Sequence, residues 1–201
     1  MFYEPKDGHG LPHNPFSAIV APRPIGWIST RSSDGIDNLA PYSFFNALAY
    51  TPPQVIFGST SRKSDRHMGK DTVANIDETG VFCVNIVEFG MRDAMNASSG
   101  NYDADIDEFE LAGLQKEECQ TIACPRVAGV PAALECRVSQ ILTLAGDCNI
   151  AVIGEVTGIH LRDDCLIDGR FDVLQFQPVA RLGYRDYARI GDLFSLARPG
   201  E

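Results

Sequence analysis

The chain has 201 residues and a formal net charge of −10, with 44% hydrophobic and 22% charged residues. A chain of this size and composition can bury a full core, which excludes an intrinsically disordered protein. The acidic charge argues against nucleic acid as a partner, because nucleic-acid binding needs a broad basic surface. No run reaches the roughly 18 apolar residues of a membrane span and the first residues lack the apolar core of a signal peptide, so we expect a cytoplasmic protein without a membrane segment.

Residues 1–15 are polar and rich in proline and glycine, which predicts an N-terminal arm. No linker, repeat or change of composition divides the remainder, so residues 16–201 are expected to form a single domain. The chain has six cysteines. In a chain of this length without an export signal they are expected to be reduced thiols. Cys119 and Cys124 lack the further ligands that a structural zinc ion needs, so no metal site is predicted.

Most of the chain shows the residue patterns of β-strands. Two prolines interrupt the first predicted strand, and a turn at 31–35 connects that strand to the second. Gly154 and Gly158 fall inside a long strand, where they indicate bulges. Short helices are predicted at 73–79, 88–99 and 108–112, the last capped by Asp107. The arrangement is mainly β and predicts a Greek-key-like β-barrel with short flanking helices. The predicted strands are 19–30, 36–45, 53–60, 81–87, 134–144, 149–161 and 171–181, with a further C-terminal stretch at 190–197.

Four cations fall within nine residues of this acidic chain: Arg62, Lys63, Arg66 and Lys70. They lead directly into the predicted helix 73–79, for which Asp71 or Thr72 is the expected N-cap and Gly80 the C-terminal residue. Clustered cations beside the positive end of a helix dipole favour an anion, and a phosphate is the natural candidate. The pattern matches neither a P-loop nor a Rossmann glycine motif, so the phosphate is not expected to belong to a nucleoside triphosphate.

Aromatic residues and strand-end hydroxyls surround the basic cluster in sequence, which suits a flat heteroaromatic ligand carrying one phosphate. FMN and pyridoxal phosphate both meet this description. Pyridoxal phosphate requires a lysine for its Schiff base. The chain has only four lysines, Lys6, Lys63, Lys70 and Lys116, and two of them belong to the basic cluster. FMN is therefore favoured.

Five motifs spread over the chain also carry a family resemblance: PRPIGWIST, NLAPYSFFNA, a PP pair, KDTVANI and ARLGYRDYARI. In this order they resemble the flavin reductase-like, FMN-binding split-barrel family, including the reductase components of two-component flavin monooxygenases. The resemblance implies a split barrel, bound FMN, NAD(P)H as co-substrate, a homodimer, a small-molecule substrate and a possible monooxygenase partner. In the last motif Tyr184 stands where the family more usually has a second glycine.

The resemblance also implies roles for the matching positions. Around the flavin ring and ribityl chain these are Ser29, Thr30, Ser43, Asn46 and Ala47. Around the phosphate they are Ser59, Thr60, Arg62, Lys70, Asp71 and Thr72. The carboxylate of Asp71 would repel a phosphate, so it is expected to cap the helix or to orient Arg62 or Lys70.

No catalytic acid, base or nucleophile is evident in the sequence. The resemblance implies an NAD(P)H-dependent FMN oxidoreductase, either a flavin reductase that supplies a partner monooxygenase or a flavoprotein oxygenase that acts by itself. Two further hypotheses remain beside it. One is an FMN-binding or storage module without turnover, and the other is an enzyme like pyridoxamine-phosphate oxidase.

Overall fold

The computed structural model of the protein describes residues 1–63 and 69–200, and it is mainly β. The strands are β1 Arg23–Pro24, β2 Gly26–Arg31, β3 Asp37–Tyr42, β4 Phe45–Tyr50, β5 Pro53–Ser59, β6 Val81–Ile86, β7 Lys116–Glu118, β8 Pro125–Val127, β9 Ala132–Thr143, β10 Ile150–Leu161, β11 Leu166–Ile167, β12 Arg170–Phe171, β13 Val179–Arg181 and β14 Tyr187–Arg189. The α-helices are α1 Phe16–Ile19, α2 Asp71–Thr79, α3 Arg92–Ala97, α4 Glu108–Leu111 and α5 Val173–Phe176.

Seven strands form one antiparallel sheet in the order β3-β2-β6-β9-β10-β5-β4. Its two outer strands, β3 and β4, are consecutive in the chain and are joined only by Ser43 and Phe44. The sheet must therefore curl until its outer strands meet, as in a barrel. The contact is visible inside, where the rings of Tyr42 and Phe57 lie 4.8 Å apart between centroids.

Strand β2 is buried on both faces and separates two apolar clusters. Trp27 packs in one cluster, with the β7–β8 hairpin, and Ile28 packs in the other, inside the curled sheet and against α2. Side chains alternate across a strand, so neighbouring residues of β2 serve opposite cores.

The predicted bulges in β10 are confirmed, because the pairing of β9 with β10 shifts register at Gly154 and again at Gly158. A Cβ atom at Gly154 would lie 2.5 Å from the Phe82 ring. The Phe82 ring can therefore pack against β10 at this position because Gly154 has no side chain.

Helix α2 confirms the helix that was predicted after the basic cluster, and Gly80 ends it in the left-handed region with φ 70°. The predicted N-cap was wrong. Lys70 occupies that position in extended conformation, and no side-chain hydrogen bond caps the helix. The predicted cap of α4 is confirmed, since Asp107 accepts a hydrogen bond from the Phe109 N–H.

Three predictions were wrong in part or in whole. The predicted strand 36–45 matches β3 but ends at Tyr42, and a separate strand, β4, which was not predicted, begins at Phe45 after the chain crosses between the outer strands. The predicted strand 171–181 contains α5, because Asp172 accepts a hydrogen bond from the Leu174 N–H and starts a helical turn. Residues 190–197 form no strand or helix.

Buried Arg23 holds the N-terminal region to the C-terminal motif. Its guanidinium donates to the carbonyls of Ser17 and Val20 and, at 2.8 Å, to that of Leu182. Tyr184 has φ 58°, which a glycine adopts without strain and which explains a glycine preference at this position. The Tyr184 ring contacts His13 of the N-terminal arm, with centroids 5.6 Å apart.

All six cysteines are free, as predicted. Among the helices of residues 1–63 and 69–200, none combines the length and apolar character required to cross a bilayer.

Candidate functional site

A small polar recess lies at the N-terminus of α2, beside β3 and the loop that follows α3. Its volume is about 50 Å³. It is lined by Asn38, Ala40, Pro41, Tyr42, Lys63, Lys70, Asp71, Thr72, Ser98, Ser99, Gly100, Asn101 and Glu108. Three of the predicted phosphate ligands, Lys70, Asp71 and Thr72, are therefore brought together here.

Lys63 connects the basic cluster to the wall of the recess through hydrogen bonds. Its Nζ donates to the carboxylate of Asp71 and to the carbonyl of Tyr102. Its backbone N–H donates to the Gly69 carbonyl at 2.7 Å, so Lys63 and Gly69 lie side by side. Asp71 thus pairs with Lys63 rather than capping the helix as predicted. Arg66, the remaining member of the cluster, lies outside the described residues.

Lys70 is the half-buried cation of the recess. Burial and the neighbouring charge of Lys63 lower the pKa of Lys70, while Asp71 opposes them. A partly desolvated ammonium group gains from an anionic partner. The first turn of α2 adds backbone N–H groups and the positive end of the helix dipole at the same place. The recess is therefore suited to an anion.

A chain of hydrogen bonds fixes Thr72 at the recess. The Thr72 Oγ1 donates to Asn38 Oδ1 at 2.7 Å. The Asn38 amide donates to both carboxylate oxygens of Glu108, at 2.9 and 3.0 Å, and Glu108 also accepts from the Leu39 N–H at 2.9 Å. Burial raises the pKa of Glu108, while these hydrogen bonds oppose that shift.

The sequence analysis missed Asn38 and Glu108 as members of this site. Asn38 stands in the NLAPYSFFNA motif and Glu108 follows the helix cap Asp107. Those local signals indicate that each residue lies in or next to a regular secondary-structure element. They do not indicate that two residues 70 apart in sequence meet, because that contact depends on how α4 packs on β3.

Tyr42 and Ser59 lie on the barrel side of the recess, and both are buried. Burial raises the pKa of Tyr42 to about 12, and the nearby hydroxyls of Thr72 and Ser59 oppose the shift. The Tyr42 hydroxyl has no hydrogen bond of good geometry among the described residues. Buried hydroxyls are normally satisfied, so this one has capacity for a polar ligand atom.

Trp27 positions another part of the wall, since its indole N–H donates to Ser98 Oγ at 2.8 Å. Ser98 in turn donates to the Met95 carbonyl at 2.9 Å, which closes the end of α3. The loop that begins at Ser98 is thereby anchored to strand β2.

Ser29 and Thr30 were expected near the flavin, but their side chains are fully buried elsewhere. Ser29 Oγ donates to the Pro125 carbonyl at 2.6 Å and accepts from Asn85 at 3.0 Å, so it joins β2 to the β7–β8 hairpin. Thr30 Oγ1 accepts from Asn75 at 3.0 Å and so holds α2. Both side chains are engaged in these internal hydrogen bonds and do not line the recess, and their predicted role at the flavin stays a prediction.

The other predicted residues lie on the outside of the barrel. Ser43 is half-buried in the turn between β3 and β4. Asn46 and Ala47 are exposed on the edge strand β4, and the Asn46 side chain accepts from the Ala47 N–H at 2.9 Å. Thr60 and Arg62 are exposed after β5. None of these five residues lines the recess, but all remain available to a ligand that extends from it.

The position of Ser29 makes a testable prediction. Replacement Ser29→Ala leaves the Asn85 amide with one acceptor fewer in a buried place, so the free energy of unfolding should fall by about 1–3 kcal/mol. The affinity for FMN should stay unchanged, because the hydroxyl faces the hairpin. Urea denaturation and flavin titration measure the two quantities separately. A loss of FMN affinity in folded Ser29→Ala protein would contradict our placement.

The recess fits the phosphate end of FMN but not the whole cofactor. Its available donors are the Lys70 ammonium group, the Tyr42 hydroxyl and a helix N-terminus, which is a set suited to phosphate. Its volume of about 50 Å³ is far below the roughly 300–1,000 Å³ of sites that enclose a ligand. The recess therefore cannot enclose the flavin ring as well.

Comparison with known proteins gives a consistent result. The model of the flavin reductase like domain matches residues 20–175. An uncharacterized protein from Halalkalibacterium halodurans is 36% identical over 184 residues, covering 90% of this chain and 87% of its own.

Three solved structures share the fold. The 2-nitrobenzoate 2-nitroreductase of Pseudomonas fluorescens has TM-score 0.81 and 32% identity, covering 92% of this chain and 89% of that one. Nitrilotriacetate monooxygenase component B of Bacillus cereus has TM-score 0.84 and 28% identity, covering 94% and 100%. A Shewanella frigidimarina protein with a split barrel domain has TM-score 0.80 and 24% identity, covering 91% and 89%.

The curled antiparallel sheet is therefore the split barrel that the motifs predicted. The family model covers more than half of the chain, and the relative from Halalkalibacterium matches it nearly end to end. The chain belongs to the flavin reductase like family.

Proposed function

We propose that the protein is an FMN-dependent NAD(P)H oxidoreductase, acting as a flavin reductase. The observation that carries the proposal is the polar recess at the N-terminus of α2, with Lys70 and Thr72 at its wall, in a chain of the flavin reductase like family. Phosphate at that recess would leave the flavin ring near Ser43 and Asn46, on the side of the barrel that is open to a second substrate.

The protein's own residues would bind and orient the cofactor. Lys70 and the first-turn N–H groups of α2 would hold the phosphate. The Tyr42 hydroxyl would donate a further hydrogen bond to it. Glu108 acts indirectly. It accepts hydrogen bonds from the Asn38 amide, and Asn38 in turn accepts the hydrogen bond of the Thr72 hydroxyl. Bound FMN would supply the ability to accept a hydride from NAD(P)H and to pass electrons to an acceptor.

Two acceptors are supported by similarity. The resemblance to component B of nitrilotriacetate monooxygenase, at 28% identity, supports a role as the reductase partner of a separate monooxygenase. The resemblance to 2-nitrobenzoate 2-nitroreductase, at 32% identity, supports direct reduction of an aromatic nitro compound. The open position proposed for the ring suits either acceptor.

We also propose that the protein is a homodimer. Several large apolar side chains of β4 and the turn before it are exposed, with Tyr50 96%, Leu48 50% and Phe44 43% accessible. Such residues together on one edge strand are typical of an interaction surface. A second copy placed there would border the position proposed for the flavin ring.

The deciding experiment is the absorption spectrum of the purified protein, before and after anaerobic addition of NADH and of NADPH. We expect a flavin spectrum that bleaches with at least one of the two nucleotides. Reoxidation by 2-nitrobenzoate, compared with reoxidation by free flavin and oxygen, then distinguishes the two acceptors. A flavin spectrum that resists both nucleotides would favour a binding module without turnover. Absence of flavin binding even with added FMN would overturn the proposal.

A pyridoxamine-phosphate oxidase-like activity is the remaining alternative. Oxidation of pyridoxine phosphate by the holoprotein, seen as bleaching of the flavin, would favour it over the flavin reductase.

A further inference from the structure

Three thiols meet where the β7–β8 hairpin packs on the central sheet, away from the residues that line the α2 recess. The hairpin pairs Glu118 with Pro125. Cys119 and Cys124 continue this register, and the Cys119 N–H donates to the Cys124 carbonyl at 3.1 Å. Hydrogen-bonded antiparallel partners have Cα atoms about 5.5 Å apart. That separation lies within the roughly 4.4–6.8 Å range found in disulfides.

The three thiols differ in exposure. Cys83 on β6 and Cys124 are fully buried, whereas Cys119 is half-buried. The Cys119 side chain packs against the apolar cluster that contains both Cys83 and Cys124. The Cys124 sulfur also lies 3.9 Å from the carbonyl of Ser29, at the back of the hairpin. An oxidant arriving from solvent therefore reaches Cys119 first.

The surroundings of Cys119 and Cys124 shift the pKa values of the two thiols in opposite directions. Hydrogen bonds from Cys124 and Cys83 lower the pKa of the Cys119 thiol, His160 adds to that effect, and burial and Glu135 oppose it. The contact with Cys119 and burial raise the pKa of Cys124, against which Arg31 acts weakly. Thiolate is the reactive form of cysteine. Cys119 thus has the properties of an attacking thiolate, and Cys124 is the thiol that lies opposite it and can condense with its sulfenic acid.

Glu135 holds the connecting loop in this geometry. Its carboxylate accepts from the backbone N–H of Gln120 at 2.7 Å and of Thr121 at 2.6 Å. Gln120, Thr121, Ile122 and Ala123, the residues between the two cysteines, form one wall of an open groove of about 620 Å³. The loop is therefore both fixed in shape and accessible from solvent.

We propose that Cys119 and Cys124 form an oxidation-sensitive dithiol, which a hydroperoxide converts to an intramolecular disulfide. The Cys119 thiolate attacks one oxygen of the hydroperoxide, so that an S–O bond forms, the O–O bond breaks and the departing oxygen leaves as an alcohol or water after taking a proton. Cys124 then attacks the resulting sulfenic sulfur. The S–S bond forms, the S–O bond breaks, and hydroxide leaves as water with the Cys124 proton. Two thiols lose two electrons and the hydroperoxide gains them.

Hydrogen peroxide is the probe for this proposal. The reduced protein, as purified, is treated with a small excess of peroxide, alkylated and mapped by mass spectrometry. We expect a Cys119–Cys124 disulfide to form first, with a mass loss of about 2 Da and four of the six cysteines still alkylated. A Cys83–Cys119 disulfide, prior oxidation of another cysteine, or no reaction would each overturn the proposal.

Two variants and a control sharpen the test. Cys124→Ser should accumulate a sulfenic acid on Cys119 that dimedone traps, and Cys119→Ser should form no disulfide. Cys148→Ser is the matched control, because Cys148 is the other half-buried thiol and lies in the turn between β9 and β10. It should form the Cys119–Cys124 disulfide at the wild-type rate. Mapping of the wild-type protein decides the proposal even if a variant fails to fold.

Discussion

Replacement of Lys70 by alanine should weaken FMN binding by roughly 10- to 100-fold, because a hydrogen bond to a charged group contributes about 1.5–3 kcal/mol. Lys70 is half-buried at the recess, and α2 begins directly after it. The loss should depend on the phosphate. Riboflavin, which has the same ring and ribityl chain without a phosphate, should bind wild type and Lys70→Ala with nearly equal affinity. Quenching of flavin fluorescence measures both dissociation constants.

A matched control is available in the N-terminal arm. Lys6 pairs with Glu4 on the surface, and its side chain is 75% exposed. Lys6→Ala removes one positive charge from the same protein without touching the recess, so its affinity for FMN should equal that of the wild type. Equal losses for FMN and riboflavin in Lys70→Ala would mean that the lysine acts on the ring or on folding. Unchanged FMN affinity would place the phosphate elsewhere.

Replacement of Glu135 by alanine should lower the free energy of unfolding by about 3–5 kcal/mol, the usual cost of removing one member of a buried charged cluster. Glu135 is fully buried. Its carboxylate accepts from two backbone N–H groups and from Thr121 Oγ1 at 2.6 Å, and it contacts His160 Nε2. All of these donors lose their partner in the variant. Urea denaturation at pH 7 measures the change.

Glu155→Ala is the matched control for this prediction. Glu155 lies on β10, next to the strand that carries Glu135, and its side chain is exposed. Surface substitutions of this kind usually change stability by less than about 0.5 kcal/mol. Comparable losses of unfolding free energy in the two variants would show that buried Glu135 contributes no more to stability than an exposed glutamate does.

The stabilisation by Glu135 should also depend on pH. Burial alone would raise the pKa of Glu135, but hydrogen bonds from His160, Thr121 and the Gln120 backbone lower it to about 2. An unfolded glutamate titrates near pH 4.3, so the folded protein binds the proton less tightly. The contribution is therefore complete above about pH 5 and is lost as the pH falls toward 2. The stability difference between wild type and Glu135→Gln should shrink over that interval.

Local pattern was sufficient for much of the fold. Alternating and continuous apolar runs predicted six of the seven strands of the main sheet, but they missed β4. Gly80 and Asp107 marked helix ends correctly, since a left-handed residue and a side-chain cap leave clear sequence signals. The strand predicted at 171–181 failed because the cap at Asp172 and a single helical turn are too short to produce a helical period.

The basic cluster likewise predicted the anion recess, because cations before a helix N-terminus require only local sequence. The same reasoning could not assign Ser29 and Thr30. In a strand exposed on one face, alternation of polar and apolar residues tells which side chains face solvent. Strand β2 is buried on both faces, so its hydroxyls carry no such signal and either face was compatible with the sequence.

What the sequence by itself determined is thus the set of short-range features: strands, turns, caps, the cation cluster before α2 and the motifs of the family. Only the tertiary structure decided which distant residues meet. It placed Glu108 against Asn38, Cys119 beside Cys83, and Glu135 under the loop that carries Cys119. These contacts depend on how strands far apart in sequence align in register and how the sheet curls. Those arrangements are set by packing of the whole core, which no local stretch of residues encodes.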